Sequence, residues 1–213
     1  MLKKQVPVLV LAVFLAGGLC AETVRTIEED LALEPGEILD LDLPIGELRV
    51  EGSATGGGSV RIDVQCSRKR KRCQSAAQNL ELDLTRRGDR LRLEIEGWPR
   101  WGTSGLSLSI LVEVPHSSPL RVDMGIGQVT VADLHSNVSI DLGIGGVEVE
   151  MAAEFVRSVN LESGIGESTM AVAGDPISNH RSFLGDELNW SKGEGEARIN
   201  VDLGIGAVEV TLN

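Results

Sequence analysis

The chain has no tyrosine, and only three tryptophans and three phenylalanines among 213 residues. A core of packed aromatic rings is therefore excluded, and aliphatic side chains must fill the interior. Cysteine is scarce, at Cys20, Cys66 and Cys73, and so is histidine, at His116, His135 and His180. Neither falls in a metal-binding spacing. Cations are outnumbered, with 20 Lys and Arg against 32 Asp and Glu, for a net charge of −12. Such a surface repels nucleic acid and anionic membranes unless its charge is locally segregated. After the first twenty residues no apolar run is long enough to cross a bilayer as a helix. Catalytic signatures are missing too: no Gly-x-Ser-x-Gly, no His-Glu-x-x-His and no phosphate-cradling loop before a helix. The expectation is a protein that is not an enzyme and holds no cofactor.

What is present begins with a leader. Lys3 and Lys4 precede the apolar stretch "PVLVLAVFLAG" at 7–17. That pattern predicts a signal peptide over 1–21, with small residues near the cleavage point. Cys20 raises lipidation as an alternative, but Leu19 stands where a lipobox wants a small residue. Cleavage leaves about 190 residues, enough for one domain with a real core. The predicted compartment is the periplasm or cell surface of a bacterium. Outside the cytoplasm, the pair Cys66 and Cys73 in "CSRKRKRC" is expected to form a local disulfide.

The dominant feature is a repeated Gly-Ile-Gly. It occurs in "VDMGIGQVTVA" (122–132), "IDLGIGGVEVE" (140–150), "LESGIGESTMA" (161–171) and "VDLGIGAVEVT" (201–211). An earlier copy, "LDLDLPIGELRV" (39–50), has Pro44 in place of the first glycine. With the second glycine as reference, the copies align on Gly46, Gly127, Gly145, Gly166 and Gly206, preceded by Gly125, Gly143, Gly164 and Gly204 in four of them. The last interval is double length, and Gly185 near its middle suggests a degenerate copy. Seven, five and three residues before the reference the chain is almost always aliphatic, as in Val138, Ile140 and Leu142. After it the phase shifts by one, to Val147 and Val149. Period-two alternation marks a strand with one buried face, and a one-residue slip would turn that face outward. A sharp corner at each Gly-Ile-Gly keeps it inward, and glycine tolerates such a corner. On this reading the central isoleucines also point inward and form a buried column.

Units of about 20 residues cannot bury their own apolar faces, but stacked units can. The predicted fold is all-β: a right-handed parallel β-solenoid or β-roll over 119–213, continuous with a less regular, partly antiparallel region over 22–118. An antiparallel sandwich is the competing reading. In the first half, "SVRIDVQC", "NLELDLTR", "RLRLEIEG" and "LSLSILVEVP" all alternate. "RRGDR" reads as a hairpin turn, and 67–78 as a short helix or loop held by the disulfide.

Three features could carry function. An acid sits four residues before each reference glycine: Asp42, Asp123, Asp141, Glu162 and Asp202. These are expected to stack outward as a solvated ladder; calcium bridging is the alternative. "GWPRWG" places Trp98 and Trp101 about Arg100, a possible sugar- or lipid-contacting loop, or else a cover for exposed apolar strands. Arg68, Lys69, Arg70, Lys71 and Arg72 form a basic run, either a solvated loop or a contact for anionic head groups or phosphates.

The leader, the "LDLPIGELRVEG" copy, the "ILVEVPHSSPLRVDMGIGQVTV" junction and the "VSIDLGIGGVEV" and "INVDLGIGAVEV" rungs together resemble the bacterial putative-adhesin family of exported β-solenoid domains. The resemblance implies an envelope protein with a glycine-punctuated solenoid and no active-site residues. The function expected is non-enzymatic contact with an envelope protein or a glycan or lipid surface. The alternatives are a carbohydrate- or lipid-binding module built on the tryptophan loop and, more remotely, a β-helix glycan-cleaving enzyme. Oligomeric state is not legible.

Overall fold

A computed structural model describes residues 22–54, 56–67, 71–99, 105–177, 180–181 and 185–213. The predicted leader, Cys20 and the predicted cleavage point lie outside them. The described chain is all-β, with one α-helix and a mixed sheet of thirteen strands. In chain order the elements are β1 (Glu22–Leu31), β2 (Ile38–Ser53), β3 (Gly58–Cys66), α1 (Lys71–Gln78), β4 (Glu81–Arg87), β5 (Arg90–Glu96), β6 (Leu106–Pro115), β7 (Leu120–Ala132), β8 (Val138–Met151), β9 (Val156–Val172), β10 (Asp175–Ile177), β11 (His180–Arg181), β12 (Asp186–Trp190) and β13 (Ala197–Leu212).

The repeat copies lie on β2, β7, β8, β13 and β9, adjacent in that order and parallel throughout. Their register follows the sequence alignment: Gly46 pairs with Gly127, Gly127 with Gly145, Gly145 with Gly206, and Gly206 with Gly166. Each strand runs through the Gly-Ile-Gly and changes its buried face there. On β8, Val138, Ile140 and Leu142 are buried before the corner, and Val147, Val149 and Met151 after it. Both halves therefore look into one core, and the sheet is creased along the glycine row. Leu39, Leu41, Leu43, Leu48, Val50 and their counterparts fill that core. A fully buried aliphatic side chain contributes about 1.5–3 kcal/mol.

The crease divides the sheet into two layers. The first half of β2 pairs with β5, which carries the β4 hairpin; the second half pairs with β6, which carries β3 and β1. At the far end β9 forks likewise, its first half pairing with β12 and its second with β10. The β4–β5 turn has Gly88 at φ +64°, the hairpin read from "RRGDR". Antiparallel pairing in the first half agrees with the sequence reading.

Two expectations are corrected. The 119–213 region is not a simple parallel solenoid: β10, β11 and β12 pair antiparallel, and β13 lies between β8 and β9, so the coils do not stack in chain order. Nor is Gly185 the corner of a further parallel coil, since β12 runs antiparallel to β9. The physical reason lies in the one copy whose apolar columns are broken. Ser163 and Ser168 occupy inward positions of β9 and are buried. Asp186, only 3 % exposed, accepts a hydrogen bond from the Ser168 amide at 3.1 Å, and its carbonyl accepts one from the Ser163 hydroxyl at 3.5 Å. Polar positions at the end of the stack are thus matched by a polar cover instead of another aliphatic coil.

α1 packs against β1, β3 and β6. Cys73, Ala77 and the following Leu80 are buried there. Arg25 of β1 donates to the carbonyls of Ala77, Gln78 and Leu80 at 3.1, 3.1 and 2.7 Å, capping the end of the helix. Cys66 and Cys73 form the expected disulfide, with Cα atoms 6.1 Å apart. β1 is an outer strand rich in charge (Glu22, Arg25, Glu28, Glu29, Asp30), which discourages edge-to-edge pairing.

Candidate functional site

The crease is set by the absence of side chains. Gly46, Gly127, Gly145, Gly206 and Gly166 have φ between +147° and +152°, a region closed to L-residues with side chains. A Cβ on Gly145 would lie 1.7 Å from the Gly127 carbonyl oxygen; one on Gly206 would meet that of Gly145 at the same distance. The first glycines are also tight: a Cβ on Gly143 would lie 2.5 Å from the Gly125 carbonyl oxygen. With a glycine on each side, the isoleucine stands at the apex of the bend.

That apex faces solvent. Ile126, Ile144, Ile205 and Ile165 are 45–56 % exposed, and Ile45 is half-buried. The isoleucine column read from the sequence therefore exists, since Ile45, Ile126, Ile144, Ile205 and Ile165 are in register, but it points outward. Parity alone assigned it to the core. The face reverses at the first glycine, one residue before the isoleucine, and the bend places the isoleucine on the convex side. Two glycines flanking a single apolar residue are the signal that parity counting overlooked.

Beside this ridge runs a trough of about 610 Å³, floored by Gly46, Gly127, Gly145, Gly146 and Ala207 and walled by Ile45, Ile126 and Leu108. Glu47, Gln65, Ser107, Ser109 and Gln128 provide its polar rim.

Three residues before the isoleucines lies the acidic ladder, outward as expected. In spatial order it reads Glu94, Asp42, Asp123, Asp141, Asp202, Glu162 and Glu187, one per strand from β5 to β12. β5 and β12 thus extend it beyond the five acids of the repeat. Arg92 neutralises one end, 2.6 Å from both Asp42 and Glu94. Next along, burial pushes the Asp123 carboxyl above its ordinary range, aided by Asp141 and Asp42 and opposed by Arg121. Among the described residues, no group of three or more His, Cys, Asp or Glu side chains converges as a metal site. A second carboxylate row, Glu148 and Glu209, lies on the other slope of the crease.

The remaining candidates are elsewhere. Trp98 is half-buried and packs against the core, in keeping with a covering role; Arg100 and Trp101 lie outside the described residues. Trp190 also packs on the core. Lys71 and Arg72 are exposed at the start of α1, while Arg68, Lys69 and Arg70 lie outside the described residues. His116 and His135 sit in the loops opposite the crease, as read from sequence. Their rings stack at 4.5 Å, and His135 stacks on Phe155 at 3.8 Å. A depression of about 500 Å³ on the β1–β3–β6 layer contains Glu28, Asp30, Arg61 and Glu113. Its charges pair across strands, with Arg61 2.5 Å from Glu28 and Ser59 donating to Glu113 at 3.3 Å. Outside the ladder, the buried Glu37 carboxylate is held by Arg86 at 2.5 and 3.0 Å and by the Glu34 amide at 2.9 Å. Those contacts keep its carboxyl below the usual range, the Arg86 hydrogen bond first.

No family model and no curated protein matches the sequence. Solved structures do. A putative cell adhesion protein from Clostridium sporogenes aligns over 89 % of this chain and all of its own, with a TM-score of 0.50 and 13 % identity. A putative adhesin from Bacteroides fragilis covers 87 % of this chain and 97 % of its own, at TM-score 0.27 and 10 % identity. A putative lipid-binding protein from Parabacteroides distasonis covers 87 % and 94 %, at TM-score 0.25 and 10 % identity. The first of these likenesses supports the fold.

Proposed function

We propose that this chain is an exported bacterial envelope protein without catalytic activity, and that it makes adhesin-like contact with a partner through the convex face of its crease. The observation that carries the reading is the row of four outward isoleucines. Large aliphatic residues exposed singly need no explanation, but a contiguous exposed strip marks an interaction surface. Repeated glycine corners hold the strip in register on a sheet backed by a common core, so it meets a partner with little ordering cost. The likeness to a putative cell adhesion protein supports the same reading at the level of fold.

The test is retention of envelope material from a producing bacterium on the immobilised protein. The native chain is expected to retain a component that the double variant Ile144→Ser/Ile205→Ser does not, with both proteins melting at similar temperatures. Equal retention by the two would remove the crease from consideration. Trp98→Ala serves as the contrast: it is expected to lower stability and leave retention unchanged at a temperature where it is folded.

A further inference from the structure

Given that the crease is a contact surface, the charges around its ridge specify the partner further. The isoleucine strip lies between two anionic slopes. On one side are Asp123, Asp141 and Asp202, three residues along each strand from the isoleucine; on the other are Glu148 and Glu209. Among the described residues, no Lys or Arg forms an ion pair with Asp141, Asp202 or Glu209. The nearby cations offset this only in part: Arg92 pairs with Asp42 and Glu94, Arg121, beside Asp40 at 3.8 Å, also attracts Asp123, and Arg49, paired with Glu51, also attracts Glu148. An apolar strip inside a net anionic field suits a partner that is apolar along its centre and cationic on both flanks.

We propose that the crease receives a cationic amphipathic helix of a partner protein, lying lengthwise along the isoleucines and trough, with its Lys and Arg side chains over the two acidic slopes. This assignment rests on the crease being the contact face. The dimensions agree. Neighbouring strands are about 4.8 Å apart, so Ile126, Ile144, Ile205 and Ile165 span about 14 Å. Residues on one face of a helix recur every three or four positions, about 4.5–6 Å, and three turns cover the ridge. The acids lie about 10 Å along the strand from the isoleucines. A helix with side chains is about 10–12 Å across, and long cationic side chains extend beyond its apolar stripe. A second copy of this chain would bring the same anionic slopes against these, and an anionic lipid surface would be repelled as well.

The test uses the full chain and a labelled synthetic helix of leucine and lysine, about 14 residues long. The comparators are a leucine–glutamate helix of the same pattern, and zwitterionic and anionic vesicles. Fluorescence anisotropy is expected to show binding of the leucine–lysine helix alone, weakening as salt rises. Ile144→Ser/Ile205→Ser is expected to weaken it about tenfold or more. Asp141→Asn/Asp202→Asn is expected to weaken it and flatten the salt dependence. Three results would overturn the proposal: equal binding of the leucine–glutamate helix or the vesicles, binding indifferent to the isoleucines, or self-association by sedimentation that the isoleucine substitutions abolish. Envelope retention that survives while the leucine–lysine helix fails to bind would sink the cationic-helix assignment and spare the contact face. Loss of both would end both.

Discussion

Replacing Gly145 by alanine tests the crease most directly. Two costs arise. At φ +148° an alanine carries backbone strain of about 1–3 kcal/mol. Its Cβ would also fall 1.7 Å from the Gly127 carbonyl oxygen, far inside any ordinary contact distance. The obstacle is backbone, so no rotamer change relieves it. β7 and β8 must separate locally, and ladder hydrogen bonds worth about 1 kcal/mol each are lost or stretched. The sum is about 3–5 kcal/mol. For a domain of this size 1 kcal/mol lowers Tm by about 2–4 °C, so a fall of roughly 10 °C is expected. Urea unfolding, with the slope m compared between proteins, is the assay. Two controls separate the causes. Gly146→Ala meets only the flexible Gln128 side chain and should cost less than about 1 kcal/mol. Gly88→Ala has φ +64° but nothing within 4 Å, and should lose only about 1 kcal/mol. If Gly145→Ala proved no worse than Gly88→Ala, close approach between neighbouring corners would not be what makes the crease.

Other consequences can be measured. Reducing the Cys66–Cys73 disulfide, which closes a loop of only a few residues, should cost about 2–3 kcal/mol, seen as a lower melting temperature in reductant that Cys66→Ser/Cys73→Ser reproduces. Arg25→Ala removes three hydrogen bonds from the end of α1 and should cost about 1–2 kcal/mol by urea unfolding, with loss of helical ellipticity if α1 frays. The Glu37 carboxyl titrates lower in the folded chain than in the unfolded one, so its pairing with Arg86 stabilises above the ordinary glutamate range near pH 4.3. That contribution disappears as pH falls through the depressed value, and Glu37→Gln should flatten the stability-versus-pH curve on the acid side. Asp123 runs the other way: its raised carboxyl is a charge the fold disfavours, so Asp123→Asn should raise stability slightly at neutral pH, solvent screening keeping the gain small, and the advantage should shrink as acid protonates the native side chain.

The sequence carried the strands, their register and the corner well. Alternation at Val138, Ile140 and Leu142, and its slip at Val147 and Val149, reports a folded-over sheet because burial on a pleated strand has period two. The β4–β5 hairpin, the disulfide and the outward acidic ladder were legible for similarly local reasons. Spatial order was not. The backbone edges of the copies are nearly alike, and the serines that mark β9 as the end of the stack gain that meaning only once their partner Asp186 is in place. The outward isoleucines were missed because face assignment by parity fails inside a bend. The polar pairing of Ser163 and Ser168 with Asp186 joins residues far apart in the chain, and the sequence shows only two interruptions in an aliphatic column.

The placement of β13 has a consequence for how the protein comes into being. It is made after β9 and β12, yet both flanks of its slot, β8 and β9, are formed from earlier chain. Until it arrives, two long strand edges face each other across a gap, each able to recruit a stranger. A chain still lacking this last strand is therefore the form most open to aggregation, and it is there, late in synthesis, that loss of a chaperone should be felt.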